Sequence, residues 1–242
     1  MTRRAGLGLL AVLLLVAGGC DGIGPGRTAS GKPATRHLDT PGVTRLDVAY
    51  GFGVHVTLGQ PEAVTVTYDD NLADLLDVGV DGTTLRLKLK PRVNVTGRPT
   101  LRADVTLRRL EQVQVAGGSS VDVAGPVRNS GLRLGLSGGS RIAAGLELDR
   151  ANATLSGGSH LQLTGLADTL TADASGASGL ELAQLSLQHL DVQLSGASRA
   201  TVKADRTIAA QLSGASTLTY SGTPQFTKKD VSGASTIQRA GG

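Results

Sequence analysis

From about residue 80 onward the chain alternates apolar and polar side chains with a period of two, and no helical stripe of useful length interrupts it. Leu190, Val192 and Leu194 enclose Asp191 and Gln193, while Ala200 and Val202 are flanked by Thr201 and Lys203. Strict alternation predicts strands that bury one face. It breaks at a recurring tetrapeptide, Ser-Gly-(Gly/Ala)-Ser, at Ser137–Ser140, Ser156–Ser159, Ser175–Ser178, Ser195–Ser198, Ser213–Ser216 and Ser232–Ser235. The first serines of these copies step by 19, 19, 20, 18 and 19 residues, and a degenerate copy, Ala116-Gly117-Gly118-Ser119, precedes them.

A period of about 19 is too short for a propeller blade, which takes ~40–50 residues, and suits one coil of a parallel β-solenoid. Each coil then lies on the last at a rise of about 4.7–4.9 Å, set by strand hydrogen bonding. Equivalent residues form columns. Leu136, Leu155, Ala174, Leu194, Leu212 and Val231 are predicted to share one interior column. The tetrapeptide is the corner. Gly in its second place allows a positive φ, the Gly or Ala in the third place fits a narrow corner, and the serines bond nearby backbone or the serine one coil away. This makes the Ser and Gly ladder structural.

The first half reads as the same material, less regular. Leu46, Val48, Val54, Val56 and Leu58 alternate around Gly51-Phe52-Gly53, which stands where later coils have their corner. Val64, Val66 and Tyr68 form a further strand. Leu72 to Leu76 reads as one helical turn capped by Asp70 or Asn71. Asp81-Gly82 reads as a turn before Leu85, Leu87 and Leu89. Strands over Leu101–Leu107 and Val113–Val115 lead into the degenerate corner.

The chain begins differently. Arg3-Arg4 precedes an uncharged run from Ala5 to Gly19, which is short for a membrane span and suits the apolar part of an export signal. Val16-Ala17-Gly18-Gly19 before Cys20, the only cysteine, resembles a bacterial lipoprotein signal, in which cleavage before the Cys exposes the residue that carries lipid. The expected organisation is a signal peptide over 1–19, lipidated Cys20 and a flexible tether rich in Gly, Pro, Ser and Thr over 20–40, and a β-helix domain over 41–242. Within that domain, irregular coils span 41–115 and regular coils 116–242.

Composition narrows the function. Gly numbers 34 of 242 residues, Trp is absent, and Tyr and Phe total five. One cysteine excludes a disulfide scaffold, and so few aromatics exclude an aromatic-cage binder. Without residues 1–19 the chain keeps 22 of its 24 basic residues against 20 acidic ones. A net +2 implies no pull towards nucleic acid.

Gly51-Phe52-Gly53-Val54-His55-Val56-Thr57-Leu58-Gly59-Gln60, Val64-Thr65-Val66, Asp70-Asn71-Leu72, Asp81-Gly82-Thr83-Thr84-Leu85-Arg86-Leu87 and the corner ladder together resemble the bacterial envelope family of auto-transporter adhesins with a head GIN domain. The resemblance spans roughly Val43 to Ile237. It implies an all-β fold, a right-handed single-stranded parallel β-helix, often lipid-anchored. It transfers no catalytic residue.

Candidate chemistry is sparse. His37, His55, His160 and His189 share no metal-ligand spacing. Asp69, Asp70, Asp74, Asp77, Asp81 and Glu62 form an acidic stretch without basic residues, read as capping and solubility, with a calcium site as the sharper reading. Asp173 and Asp191, about one coil apart, are the carboxylates to weigh as a glycosidase pair. Arg86 to Arg133 holds ten basic residues against Asp104, Glu111 and Asp122. Of these, Arg86, Lys88, Lys90, Arg92 and Arg102 are candidates for a stripe that attracts anionic glycan or lipid headgroups. No catalytic residue, cofactor or metal is assigned. The expectation is a non-enzymatic, lipid-anchored protein of the bacterial cell envelope, on the periplasmic or cell-surface side, acting as an adhesion or scaffolding surface. Its partners would be the membrane, through the anchor, and an envelope glycan or protein. The alternatives are a polysaccharide-acting β-helix enzyme and a partner-binding module of an envelope regulatory system.

Overall fold

Like residues do stack on like. The computed structural model describes residues 26–241; the expected signal peptide and Cys20 lie outside the described residues. Three long strands, Arg141–Leu155, His160–Ala174 and Gly179–Leu194, pair in parallel with one another and with Arg199–Leu212. The predicted column is continuous, Leu136 beside Leu155, then Ala174, Leu194, Leu212 and Val231. Within Gly179–Leu194 the alternation is offset twice, at Ala183-Gln184 and Gln188-His189, and within Arg141–Leu155 once, at Asp149-Arg150, where the buried pattern skips a step. Such breaks and the tetrapeptide turn the coils around one core.

That core is aliphatic and narrow. Columns of different bulk stand side by side: Leu134, Ala153, Ala172, Val192 and Ala210 form a small column, next to the Leu-rich one. Each fully buried Leu or Val contributes about 1.5–3 kcal/mol, so a coil with several of them is stable only when coils on both sides cover them. All five aromatic residues lie towards the ends of the stack: Tyr50, Phe52 and Tyr68 near its start, Tyr220 and Phe226 in its last coils.

The corner works differently from the expected packing. Its third residue faces outward and is not held small by the interior; Gly139, Ala177, Ala197 and Ala215 are exposed. The buried member is the fourth. Ser119, Ser140, Ser159, Ser178, Ser198 and Ser216 are at most 1% exposed. Ser140, Ser159, Ser178, Ser198 and Ser216 each donate their hydroxyl to the carbonyl of the serine three residues before, at 2.6–2.9 Å. The second place holds a positive φ throughout, from 61° at Gly117 to 78° at Gly214. The third residue then decides which way the intervening peptide points. In the Gly-Gly corners it too has positive φ, and its N–H donates towards the following coil, Gly118 to the Gly138 carbonyl and Gly139 to that of Gly157. An alanine there avoids positive φ; the peptide turns over, and Ala197, Ala215 and Ala234 donate to the preceding coil instead. The two senses meet between Gly157-Gly158 and Gly176-Ala177, where neither third-place N–H has a backbone partner among the described residues.

Chain order and stack order part company in the first half. Arg45–Val48 pairs in parallel with Gln112–Val115 on one side and with Thr84–Leu89 on the other. Gly53–Leu58 likewise lies between Ser120–Val127 and Leu101–Leu107. The chain therefore lays down its second layer first, passes beneath it through residues 84–107, then steps over it at residue 111. The outermost layer is closed by antiparallel strands. Leu76–Asp81 pairs with Thr84–Leu89, Ala63–Asp69 with Leu101–Leu107, and Pro33–Leu38 with Ala63–Asp69.

Two local expectations change here. The segment expected as a tether over 20–40 is strand at Arg27–Thr28, paired with Val95–Thr96, and at Pro33–Leu38. Backbone pairing needs no apolar side chains, and Arg27 is held by ion pairing to Asp74 and by donating to the Asn71 carbonyl. The helical turn is a 3-10 helix, Asp70–Leu75, with Asp69 at its N-cap and no side-chain cap. Asp70 and Asn71 instead hold the incoming strand, Asp70 accepting from the Ser30 hydroxyl at 2.6 Å and Asn71 donating to the Thr28 carbonyl at 2.8 Å.

Candidate functional surface

Along the tetrapeptide edge runs an open groove of about 930 Å³. Register builds its wall. Thr154, Asp173, Gln193, Gln211 and Asp230 are successive members of one outward column, and the first-place serines Ser156, Ser175, Ser195, Ser213 and Ser232 stand beside them. Each coil thus repeats a serine hydroxyl beside a second hydrogen-bonding side chain, Thr, Asp or Gln, at the strand spacing of about 4.7–4.9 Å. Between these polar groups the interior column from Leu155 to Val231 also lines the groove, and no aromatic residue does.

The carboxylates weighed for glycoside cleavage do not meet. Asp173 is in register with Gln193, whereas Asp191 is in register with Thr171 and Ala209, a different column. Asp230 shares the column of Asp173, but Gln193 and Gln211 intervene.

The five basic candidates do not form one stripe. Arg86 and Lys88 lie on Thr84–Leu89, opposite the acidic strand Leu76–Asp81 in a hairpin. Arg86 pairs with Asp81 at 2.7 Å and Asp77 at 3.6 Å, and Lys88 pairs with Asp47. Lys90 follows that strand, its N–H donating to the Leu75 carbonyl, and Arg92 sits in an exposed loop at φ 63°. Arg102 lies on Leu101–Leu107, across the Tyr50-Gly51 corner from the others, in register with Gly53. The acidic and basic stretches of the sequence thus meet at two points, Arg86 with Asp77 and Asp81 and Arg108 with Glu62. Glu62 pairs with Arg108 at 3.7 Å, and the Arg27 hydrogen bond holds the Asp74 carboxyl below its ordinary range. Asp69, fully buried, accepts from the Thr100 N–H at 2.9 Å.

The histidines are spread. His37 and His189 bond the hydroxyls of Thr65 and Thr207 at 3.0 and 2.7 Å. His160 lies exposed just past a corner. His55 faces outward in register between Asp104 and Asp122, with Asp122 3.9 Å away. Among the described residues no group of three or more His, Cys, Asp or Glu gathers as a metal site. Sequence reasoning missed the polar groove, although its signal was present: outward residues separated by one coil length are Thr154, Asp173, Gln193, Gln211 and Asp230, all hydrogen-bonding.

A polar-walled parallel β-solenoid with an antiparallel cap at one end is the class these features define. The chain belongs to the family described as "Putative auto-transporter adhesin, head GIN domain", which matches residues 43–224. Solved structures share the fold. A putative adhesin from Bacteroides fragilis superposes with a TM-score of 0.80 at 20% identity, covering 88% of this chain and 99% of its own. A putative lipid binding protein from Parabacteroides distasonis gives 0.71 at 16% identity over 89% and 100%. A putative adhesin from Parabacteroides merdae gives 0.70 at 14% over 89% and 99%. No curated protein matches the chain.

Proposed function

We propose that this is a non-enzymatic envelope surface protein, anchored through lipid on Cys20, whose solenoid serves as an adhesion or scaffolding surface. The observation that carries this reading is the uniform outer wall. A serine hydroxyl beside a Thr, Asp or Gln side chain recurs coil after coil, and the candidate carboxylates Asp173 and Asp191 occupy separate columns. Catalysis needs acid, base and positioning groups converging on one spot; adhesion needs repeated, equivalent contacts.

The geometry also supports an orientation. Arg27 bonds the Asn94 carbonyl at 2.8 Å, so the chain enters at the end closed by antiparallel strands. Few residues separate Cys20 from Gly26, a reach of about 20 Å when extended. A lipid on Cys20 would hold the capped end near the membrane and direct the last coils away from it.

Fractionation tests the anchor. The full-length protein expressed in a bacterial host is expected in the membrane fraction and labelled by radioactive palmitate, and Cys20→Ser is expected soluble and unlabelled. An unlabelled wild type overturns the anchor. Glycan arrays and cleavage assays test the passive surface. Retention without turnover supports it, and turnover abolished by Asp173→Asn or Asp191→Asn replaces it with the enzyme reading.

A further inference from the structure

The two ends of the stack are built differently. At the first end, antiparallel strands cover the outermost layer. At the other, Gln225–Val231 pairs only with Arg199–Leu212, and Thr236–Arg239 only with Thr217–Ser221, so among the described residues nothing pairs with their far edges. The open edge presents unpaired backbone donors and acceptors over two strands.

Register shows what lies beneath that edge. Lys229 is in register with Ala210 and Arg239 with Tyr220, both positions of interior columns. The last coil therefore ends two core columns in cations. The Lys229 ammonium lies 5.3 Å from the centre of the Phe226 ring, and the Arg239 guanidinium donates to the Gly222 carbonyl at 3.1 Å. Tyr220 and Phe226 pack edge to face, 5.2 Å apart, as a plug below the core. The remaining inward positions are apolar: Val231, 43% exposed, below Leu212, and Ile237 below Leu218. Outward, Lys228 pairs with Asp230 at 3.4 Å. Three cations against one carboxylate leave this end at +2.

Inward-pointing charge on an edge strand prevents pairing with a like edge. A second copy docking here end to end would bring Lys229 and Arg239 against their own counterparts. A strand with carboxylates at those inward positions meets the opposite situation. It completes the backbone ladder of the strand it joins, covers Val231 or Ile237, and neutralises the cation beside it in a partly desolvated setting where charge-assisted hydrogen bonds are strong.

We infer that the open end is a docking edge for an extended acidic segment of a partner protein, with Asp or Glu facing Lys229 or Arg239 and apolar residues facing Val231 or Ile237. This deepens the surface-protein reading, on which it rests only for placing that edge away from the membrane; the binding itself needs no anchor. The partner is selected by charge at the inward positions, and the same two cations keep copies of this chain apart.

The test uses the full chain in detergent and two fluorescent, end-blocked peptides. One has the sequence Leu-Thr-Glu-Thr-Leu-Thr-Glu; the other has Lys in place of each Glu. The acidic peptide is expected to bind at low salt at least tenfold more tightly than the basic one. The double variant Lys229→Glu, Arg239→Glu, which leaves the stack intact by circular dichroism, is expected to reverse the preference. A lost fold cannot mimic reversal. Absence of peptide binding, or a preference unchanged by the swap, overturns the inference. So does binding of anionic phosphatidylglycerol vesicles, abolished by the swap, without peptide binding. Light scattering supplies the second arm. The wild type is expected to stay monomeric on concentration, and Lys229→Leu, Arg239→Leu to self-associate. Wild-type chains that stack end to end overturn the proposal. Palmitate labelling and fractionation fail or succeed independently of these outcomes.

Discussion

At the scale of single residues, the tetrapeptide shows how one atom decides backbone direction. The second-place glycines carry positive φ in every full copy, and in the later copies their carbonyls point along the stack. A methyl group on Gly196 would run into the Gly176 carbonyl oxygen, while one on Gly158 meets nothing within 4 Å. Gly196→Ala adds a backbone clash to a left-handed φ of 72°, which by itself costs an L-residue about 1–2 kcal/mol; it is expected to destabilise by more than 2 kcal/mol. Gly158→Ala has an escape, the turned-over peptide that Ala177 and Ala197 already use, and is expected to cost less than about 1 kcal/mol. Urea unfolding of the two variants reads the difference, and equal losses would contradict the flip. Tyr50 shows the same constraint from the other side. Its amide nitrogen would lie 3.3 Å from a methyl group on Gly117, and it takes φ 65° without being glycine. The sequence motif marked the glycines, but nothing in it separated the exposed third place from the buried fourth serine. Both are small, and only the direction in which the corner faces tells them apart.

At the scale of strands, pairing settles what charge patterns mean. Leu85, Leu87 and Leu89 alternate with Arg86, Lys88 and Lys90 as a strand should, and Asp81-Gly82 announces a turn. Alternation carries no information on whether the neighbour runs parallel or antiparallel. The basic residues therefore read as a free stripe until the hairpin sets Asp77 and Asp81 against them. In the regular coils the partner is one coil length away, as with Arg128 and Glu147, joined by two hydrogen bonds of 2.6 and 3.0 Å. The Arg128 guanidinium holds the Glu147 carboxyl below its ordinary value of 4.5. A depressed carboxyl stabilises the fold above the unfolded pKa, and that contribution is lost as pH falls through the folded value. Both side chains are exposed, so the pair is screened by salt. In an NMR titration Glu147 is expected to protonate at lower pH than an unpaired glutamate. Arg128→Gln is expected to bring it back towards 4.5; a midpoint unmoved by that change would show that the pair does not form in solution.

At the scale of the whole molecule, the repeat made the stack legible and the first half concealed its order. The column from Leu136 to Val231 follows from counting residues between corners. No count shows that residues 84–107 lie outside the earlier coil 43–58, because that route is fixed by which edge each strand joins. The distinction has a measurable consequence. In a stack where each coil contacts only its neighbours, stability is approximately a sum of coil and interface contributions. Deleting residues 156–174 joins Leu155 to Ser175. It sets each strand of the Ser137 coil on the equivalent strand of the Ser175 coil, since Leu155 and Ala174 share one column. Interior positions meet interior positions, and the reversal of corner hydrogen bonding survives as Gly138-Gly139 facing Gly176-Ala177. That protein is expected to fold cooperatively, with a longest dimension by small-angle X-ray scattering shorter by about 4.7–4.9 Å. Deleting residues 84–102 removes an equal length and is expected to abolish folding. Arg45–Val48 then loses the whole strand beneath it, the capping strand Leu76–Asp81 loses its only antiparallel partner, for which the chain holds no equivalent, and Ala63–Asp69 loses its pairing to Leu101 and Arg102. If both deletions unfold alike, coils are not interchangeable units and the stack is one cooperative body; if both fold, the cap is dispensable and the first layer stands on its own.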